Sequence, residues 1–409
     1  MVTKIKIQLS VMMFLEFFIW GGWFVTLGSY LGSNLNASGA EAAMAFSTQS
    51  WGAIVAPFII GLIADRYFNA EKILGVLHII GAILMYQMSL ATEFSTFYPY
   101  VLGYMISYMP TIALVNSISF NQMTDSAKQF PFIRVFGTIG WIVAGWGISL
   151  VFKWDSIENI EHGALANTFL MVAVASVILG VFSFTLPKTP PSANTGEKIT
   201  FSDIIGLDAL KLLKDRNFLT FFVSSVLICI PLAFYYQNIS LFLTEYKVEN
   251  STTWASLGQV SEVLFMLLLP FFFKRFGFKK TILFGMLAWV IRYALFAYGN
   301  TGDLFFMLIL GIALHGICYD FFFVSGQIYT DSKAGPKYKS AAQGLITFAT
   351  YGVGMLIGYY IAGQISDIYL TAQNTHDWQS IWIFPAFFAV AVSVIFALLF
   401  KNEEITYKT

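Results

Sequence analysis

Twelve separate stretches of this chain are long and apolar enough to cross a lipid bilayer, and nothing else in the sequence limits its fold so sharply. A spanning helix needs about 20 mostly apolar residues, because the hydrocarbon layer is about 30 Å thick and a helix rises about 1.5 Å per residue. The runs cover 7–31, 42–65, 73–92, 97–121, 131–152, 164–186, 217–244, 254–273, 280–298, 303–329, 340–366 and 379–400. Lipid offers no hydrogen bonds, so each run must satisfy its backbone internally, which predicts an all-α membrane protein of twelve transmembrane helices. Composition agrees. Only 11% of the 409 residues are charged, against about 25% in soluble domains. The first run starts near Ile7, is too long for a signal-peptide core and lacks a small-residue cleavage site, so it predicts a retained membrane helix.

The charges set the orientation. With both termini cytoplasmic, nineteen of the 23 Lys and Arg residues fall on inside segments, and only Lys153 and Lys247 fall outside. Arg134 and Arg292 lie within helices. Basic residues concentrate on the cytoplasmic side of membrane proteins, so this asymmetry predicts a multi-pass protein of the inner (cytoplasmic) membrane and favours an even helix number. The longest polar stretch, 187–216, begins LPKTPPSANTGEK and predicts a cytoplasmic linker between two six-helix bundles, 1–186 and 217–409. The halves echo each other: PFIIGLIADRYFNAEKILG at 57–75 resembles PFFFKRFGFKKTILFG at 270–285, each ending an even-numbered helix in a basic cytoplasmic turn.

Several functions are disfavoured. Acidic and basic residues balance at 23 each, which gives no reason to expect a nucleic-acid partner. Cys229 and Cys318 both lie in apolar runs, so no disulfide framework or metal-ligand spacing is present. No nucleophile–base motif or cofactor signature points to an enzyme. No Gly-rich loop is present to cradle phosphate, which disfavours nucleotides as substrates.

The remaining signal is charge inside the membrane. A charged side chain at the bilayer centre costs at least about 2.5–3.5 kcal/mol, and such residues mark functional sites by default. Five occur: Glu16, Arg134, Glu262, Arg292 and Asp320. Opposite charges in the two halves suggest pairing across a central cavity. Arg134, Thr138 and Trp141 recur at helical spacing and share a face in FPFIRVFGTIGW. Gln259 and Glu262 share a face in GQVSE, and His315 and Tyr319 share one in LHGICYDFFF, with Asp320 adjacent. Tyr236 and Gln237 belong to a polar interruption, YYQN at 235–238, that follows Pro231, a residue able to loosen the helix there. Arg292, near the extracellular end of its helix, is expected to snorkel or form a structural ion pair. Glu16 is either functional or bonded to a neighbouring helix, and His78 is expected to make a helix–helix contact.

Together these segments resemble the nucleoside:proton symporters of the major facilitator superfamily. GLIADRY at 61–67 is similar to the superfamily's loop signature, with Gly61, Asp65 and Arg66 in place. WGGWFVTLGSYL at 20–31, SYMPTIALVNSISF at 107–120, FPFIRVFGTIGW at 130–141, TFSDIIGLDALKLLK at 200–214, QVSEVLFMLLLPFFF at 259–273, LAWVIRYALFAYG at 287–299 and SAAQG at 340–344 carry the resemblance along nearly the whole chain. It implies two pseudo-symmetric six-helix bundles, alternating access and proton-driven nucleoside uptake. Carried over by motif, the substrate site falls on Arg134, Thr138, Trp141, Gln259, Glu262, His315, Tyr319 and Asp320. On the seventh helix this chain departs from the family's cavity-facing Gln and Asn; the aligned positions are Ala233 and Tyr236, followed by Gln237 and Asn238. Asp320, Glu262 and Arg134 are the expected proton-coupling groups. The expected partners are a nucleoside, protons and the lipid bilayer, with the chain a monomer, no cofactor and no metal. The residues suit that substrate: aromatic rings stack on a flat base, a Gln amide offers donor and acceptor, and carboxylates bond ribose hydroxyls strongly. The same groups would serve another polyhydroxylated solute such as a sugar, which is the alternative reading.

Overall fold

The structure is a computed structural model that describes residues 3–59, 68–123, 126–190 and 207–403. Its helices follow the apolar runs. The first six are α1 (Thr3–Asn34), α2 (Gly39–Ile59), α3 (Ala70–Ser89), α4 (Phe94–Asn121), α5 (Ser126–Trp146) and α6 (Ala166–Ser183). Then come α7 (Arg216–Glu245), α10 (Phe305–Ala334), α11 (Ala342–Ile368) and α12 (Trp378–Leu399), with one 48-residue element, Ser251–Tyr298, in place of two separate helices between α7 and α10. Gly277 breaks that element with φ 74° and ψ 172°, a conformation only glycine adopts without strain. Its limbs, α8 (251–276) and α9 (278–298), match the two predicted runs. Ten elements among the described residues are long and apolar enough to span a membrane. The break in Ser251–Tyr298 and the less apolar α2, whose run continues beyond the described residues, account for the difference from twelve. The loop signature at 61–67 and most of the predicted linker, 191–206, lie outside the described residues.

The outer surfaces of the helices carry large apolar side chains. Leu267 is 75% exposed, Phe387 72% and Leu398 78%. In water such a surface would drive association; against acyl chains it is the matching solvent.

The chain forms two compact units: residues 1–198 with 249–256, and 199–248 with 257–409. In the first unit α1 packs along α5 and α6, α3 along α4 and α6, and α2 along α4. Small residues set these crossings. A Cβ on Gly140 of α5 would run into the backbone carbonyl of Phe14 in α1, and one on Gly52 of α2 would meet the carbonyl of Met105 in α4. With little hydrophobic force between helices in lipid, close backbone approach supplies the packing. In the second unit α7 packs on α11 and α12. A short 3-10 segment, Leu207–Lys214, sets Ala209 against Ala334, Ala342 and Leu345.

Two helices important below are not regular throughout. Residues Asp320–Val324 of α10 and Phe348–Gly354 of α11 form π-helical turns. Such turns hold one residue more than an α turn and often occur at functional sites. By contrast α7 runs unbroken through Pro231, whose carbonyl accepts a bond from the Tyr293 hydroxyl of α9.

Candidate functional site

In the first unit α5 carries three of the expected residues. Arg134, half-buried, lays its guanidinium over the Phe17 ring of α1, with Cζ 4.0 Å from the ring centre. A cation over an aromatic face is stabilised by about 0.5–2 kcal/mol, so α1 orients Arg134 without neutralising it. Trp141 meets Trp20 edge-on, 5.6 Å between ring centres, and rests on Gly21, where a Cβ would lie 2.8 Å from the indole. Thr138, also half-buried, lies one turn from each.

Glu16 lies apart from Arg134. It is fully buried, and its carboxylate shares a 2.8 Å hydrogen bond with His78 Nε2 of α3 and accepts one of 2.5 Å from Thr111 of α4. The Tyr108 hydroxyl donates to the Glu16 backbone carbonyl at 2.7 Å. The two isolated polar residues of the sequence are therefore one tie joining three helices. Removing one partner would strand the other in an apolar interior, at a cost of about 3–5 kcal/mol.

In the second unit the site is built where α8 crosses α10. Gly316 is pressed against the backbone of Ser261 and Glu262, so any side chain there would collide, and its N–H donates to Ser261 Oγ at 2.9 Å. This contact and the approach of Gly258 to His315 set the α8 segment that holds Gln259 and Glu262, both half-buried, against the α10 segment that holds His315, Tyr319 and Asp320. Asp320 begins the π turn and is fully buried, and neither of its carboxylate oxygens has a hydrogen-bond partner among the described residues. Glu262 lies within electrostatic range of it. Tyr319 is half-buried and shares a 2.7 Å hydroxyl–hydroxyl bond with Tyr351 on the π turn of α11. Sequence reasoning missed Tyr351; its only signal was a tyrosine among the small residues of FATYGVG.

The seventh helix divides its polar residues. Tyr236 stays half-exposed and meets His315 edge-on at 6.5 Å. Gln237 turns to α11, where its amide nitrogen donates to the Tyr359 carbonyl at 3.1 Å and its oxygen accepts from Gly363 N–H at 3.3 Å. Asn238 accepts from Ser366, also on α11, at 3.3 Å. Arg292 differs from its expectation. It neither snorkels nor forms an ion pair among the described residues; it is fully enclosed, with Cζ 3.5 Å above the Tyr235 ring and Nη1 3.0 Å from His315 Nδ1. The arrangement thus offers aromatic faces, amide and imidazole groups, and a buried carboxyl able to take a proton.

Comparison with known proteins is consistent with this chemistry. YegT of Escherichia coli K12 is 43% identical over 408 residues, covering 98% of this chain and 95% of that protein. The xanthosine permease of the same organism is 34% identical over 98% of this chain and 97% of its own. A crystal structure of a variant of the nucleoside transporter NupG superposes with a TM-score of 0.88 at 31% identity, covering 97% of this chain and all of that one. This likeness gives the chain the fold of a major facilitator transporter. Residues 3–405 match the description of the nucleoside H+ symporters, and the chain belongs to that family.

Proposed function

We propose that this protein imports nucleosides together with protons by alternating access. The observation that carries the reading is Asp320: a fully buried carboxyl with no hydrogen-bond partner among the described residues, on a π turn beside Tyr319 and His315. An isolated charged carboxylate cannot be enclosed in an apolar interior without a large penalty. A proton must neutralise it before this environment closes, and that requirement links proton uptake to conformation. Glu262 serves mainly as a ligand for ribose hydroxyls. Gln259, Tyr236, His315 and Tyr319 form the base-facing groups of the second unit, and Arg134, Thr138 and Trp141 are the contribution of the first. The bonds Gln237 makes to α11 favour a structural task for it. Membership of the nucleoside symporters favours this substrate over a sugar.

Counterflow in proteoliposomes tests the reading, with a panel of nucleosides, free bases and sugars and with or without a proton gradient. Nucleoside exchange accelerated by the gradient is expected; exchange of sugars alone would overturn it. Trp141→Ala and Tyr319→Ala should each weaken nucleoside binding by about 1–3 kcal/mol, the size of a base-stacking contact. Unchanged affinity in both variants would put the substrate elsewhere.

We further propose that the chain works as a monomer in the bilayer with both termini inside, because its basic residues concentrate on those segments. A cysteine introduced at Gly196 should resist an impermeant thiol reagent applied to intact cells. Efficient labelling would reverse the orientation.

A further inference from the structure

The nucleoside reading leaves Arg292 without a task. It is a permanent cation, fully enclosed, with no carboxylate partner among the described residues. Burying such a charge is unfavourable, and the rings of Tyr235, Trp289 and Phe296 around it offset only part of that. Beside Tyr235 and Cys318, Arg292 makes one contact aimed at a ring nitrogen: Nη1 lies 3.0 Å from Nδ1 of His315.

From that contact we infer that Arg292 fixes the tautomer of His315, making Nε2 a permanent N–H donor that selects nucleosides by an acceptor on the base. The inference rests on the reading above, in which His315 faces the substrate. A guanidinium has five donors, no acceptor, and does not lose its proton in proteins. Nδ1 must therefore accept, and the ring's proton resides on Nε2. A ring protonated at both nitrogens would set N–H against N–H. Rotating the ring by half a turn would set a C–H there instead. The ring is also held in place. It stacks on Tyr235 with centres 5.5 Å apart and planes 25° apart, and α8 packs close to it, since a Cβ on Gly258 would lie 3.2 Å from His315 Cβ.

Nε2 is the open end of this assembly. It has no protein partner among the described residues, although His315 as a whole is only 2% exposed. Tyr319 and Tyr236 flank the ring, with centres 5.8 Å and 6.5 Å away. A flat base between such rings would present its edge to Nε2. A carbonyl oxygen or an unprotonated ring nitrogen on that edge completes the bond. A C–H or N–H there leaves a desolvated donor unpaired, which is how polar sites reject analogues most strongly. Arg292 is a positioning residue in this scheme, and His315 is the specificity-determining one.

The test uses the purified full-length protein and two readouts. The first is nitrogen NMR of protein labelled at histidine; the chain has only four histidines, and His315→Phe assigns the signal. An Nε2-protonated ring with an accepting Nδ1 is expected, and Arg292→Met should convert it to mixed tautomers. A proton on Nδ1 in the parent protein would overturn the inference. The second is competition for binding between natural nucleosides and analogues that lose a base acceptor: 3-deaza and 7-deaza purine nucleosides and 2-pyrimidinone riboside. The parent should reject at least one of them by about tenfold or more, and His315→Phe and Arg292→Met should each shrink that ratio to about twofold or less. Arg292→Lys, which retains a donor cation, is the fallback should the methionine variant fold poorly, and it should preserve the tautomer. Discrimination that persists in His315→Phe would overturn the inference while leaving nucleoside transport intact. Absence of any nucleoside binding by the parent would instead overturn the functional reading, and the selectivity claim with it.

Discussion

Asp320→Asn is expected to abolish uphill accumulation of nucleoside while sparing exchange across a membrane with no gradient. The variant's accumulation ratio should settle at about 1, the value for a carrier with no coupling free energy between its two ligands. Asparagine preserves the shape of the buried carboxyl and removes its titration. Neither Asp320 oxygen meets a side-chain donor among the described residues, and a melt of the purified variant separates a loss of coupling from a folding defect. Glu262→Gln separates the two carboxyls. If Glu262 is the ribose ligand, that variant should bind nucleosides more weakly yet still concentrate them. Proton-driven accumulation by both variants at the parent's level would remove the second unit's carboxyls from the coupling step. Glu16, tied to His78, would then be the next group to examine.

Gly140→Leu is expected to prevent recovery of folded transporter. The first atom of any side chain at Gly140 would meet the Phe14 backbone carbonyl, and backbone in a packed helix cannot move aside as a flexible side chain can. Overpacking a core costs about 1–3 kcal/mol where neighbours can adjust; here α1 and α5 must separate, and at least about 3 kcal/mol is expected. Against a typical stability of about 5–15 kcal/mol, that is enough to empty much of the folded population at growth temperature. Gly316→Leu should behave alike, since it faces the backbone of Ser261 and Glu262. Gly344→Leu is the control: no atom lies within 4 Å of a Cβ at that position. Melting of the purified variants in detergent, followed by size exclusion, reads the comparison. A Gly140→Leu protein that elutes and melts like the parent would show that the α1–α5 crossing is looser than described.

The helices were legible because lipid imposes one requirement, apolar length, that composition expresses directly. The boundary between α8 and α9 was legible too, since FKRFGFKK interrupts the apolar run with charge. What the sequence did not disclose was pairing. Glu16 and His78 stand 62 positions apart and Arg292 and His315 stand 23 apart, and periodicity within one helix says nothing about which neighbour it faces. Arg292 lies near a helix end, where a long cation ordinarily reaches for water; the aromatic pocket that holds it comes partly from a different helix. The amide of Gln237 posed the same difficulty. A polar residue on an apolar helix serves a cavity or a neighbouring backbone equally well, and only the position of α11 decides. The π turns had no visible signature, because they are changes in backbone hydrogen bonding within runs of ordinary apolar composition.

The π turn of α10 gives that helix two phases. Each residue of an α-helix advances the side chain by about 100°, so one extra residue in a turn puts everything before it out of step with everything after. The segment with His315 and Tyr319 is therefore aimed independently of the segment ending in Tyr329, whose ring packs against Phe221, Phe278 and Phe400. The wider turn absorbs its extra residue, so losing one residue between Asp320 and Val324 would restore regular geometry and leave both segments seated. A single-residue deletion, ruinous in most membrane helices, becomes tolerable in this turn: it changes the sequence phase between the segment of His315 and Tyr319 and the packed segment of Tyr329 without moving either.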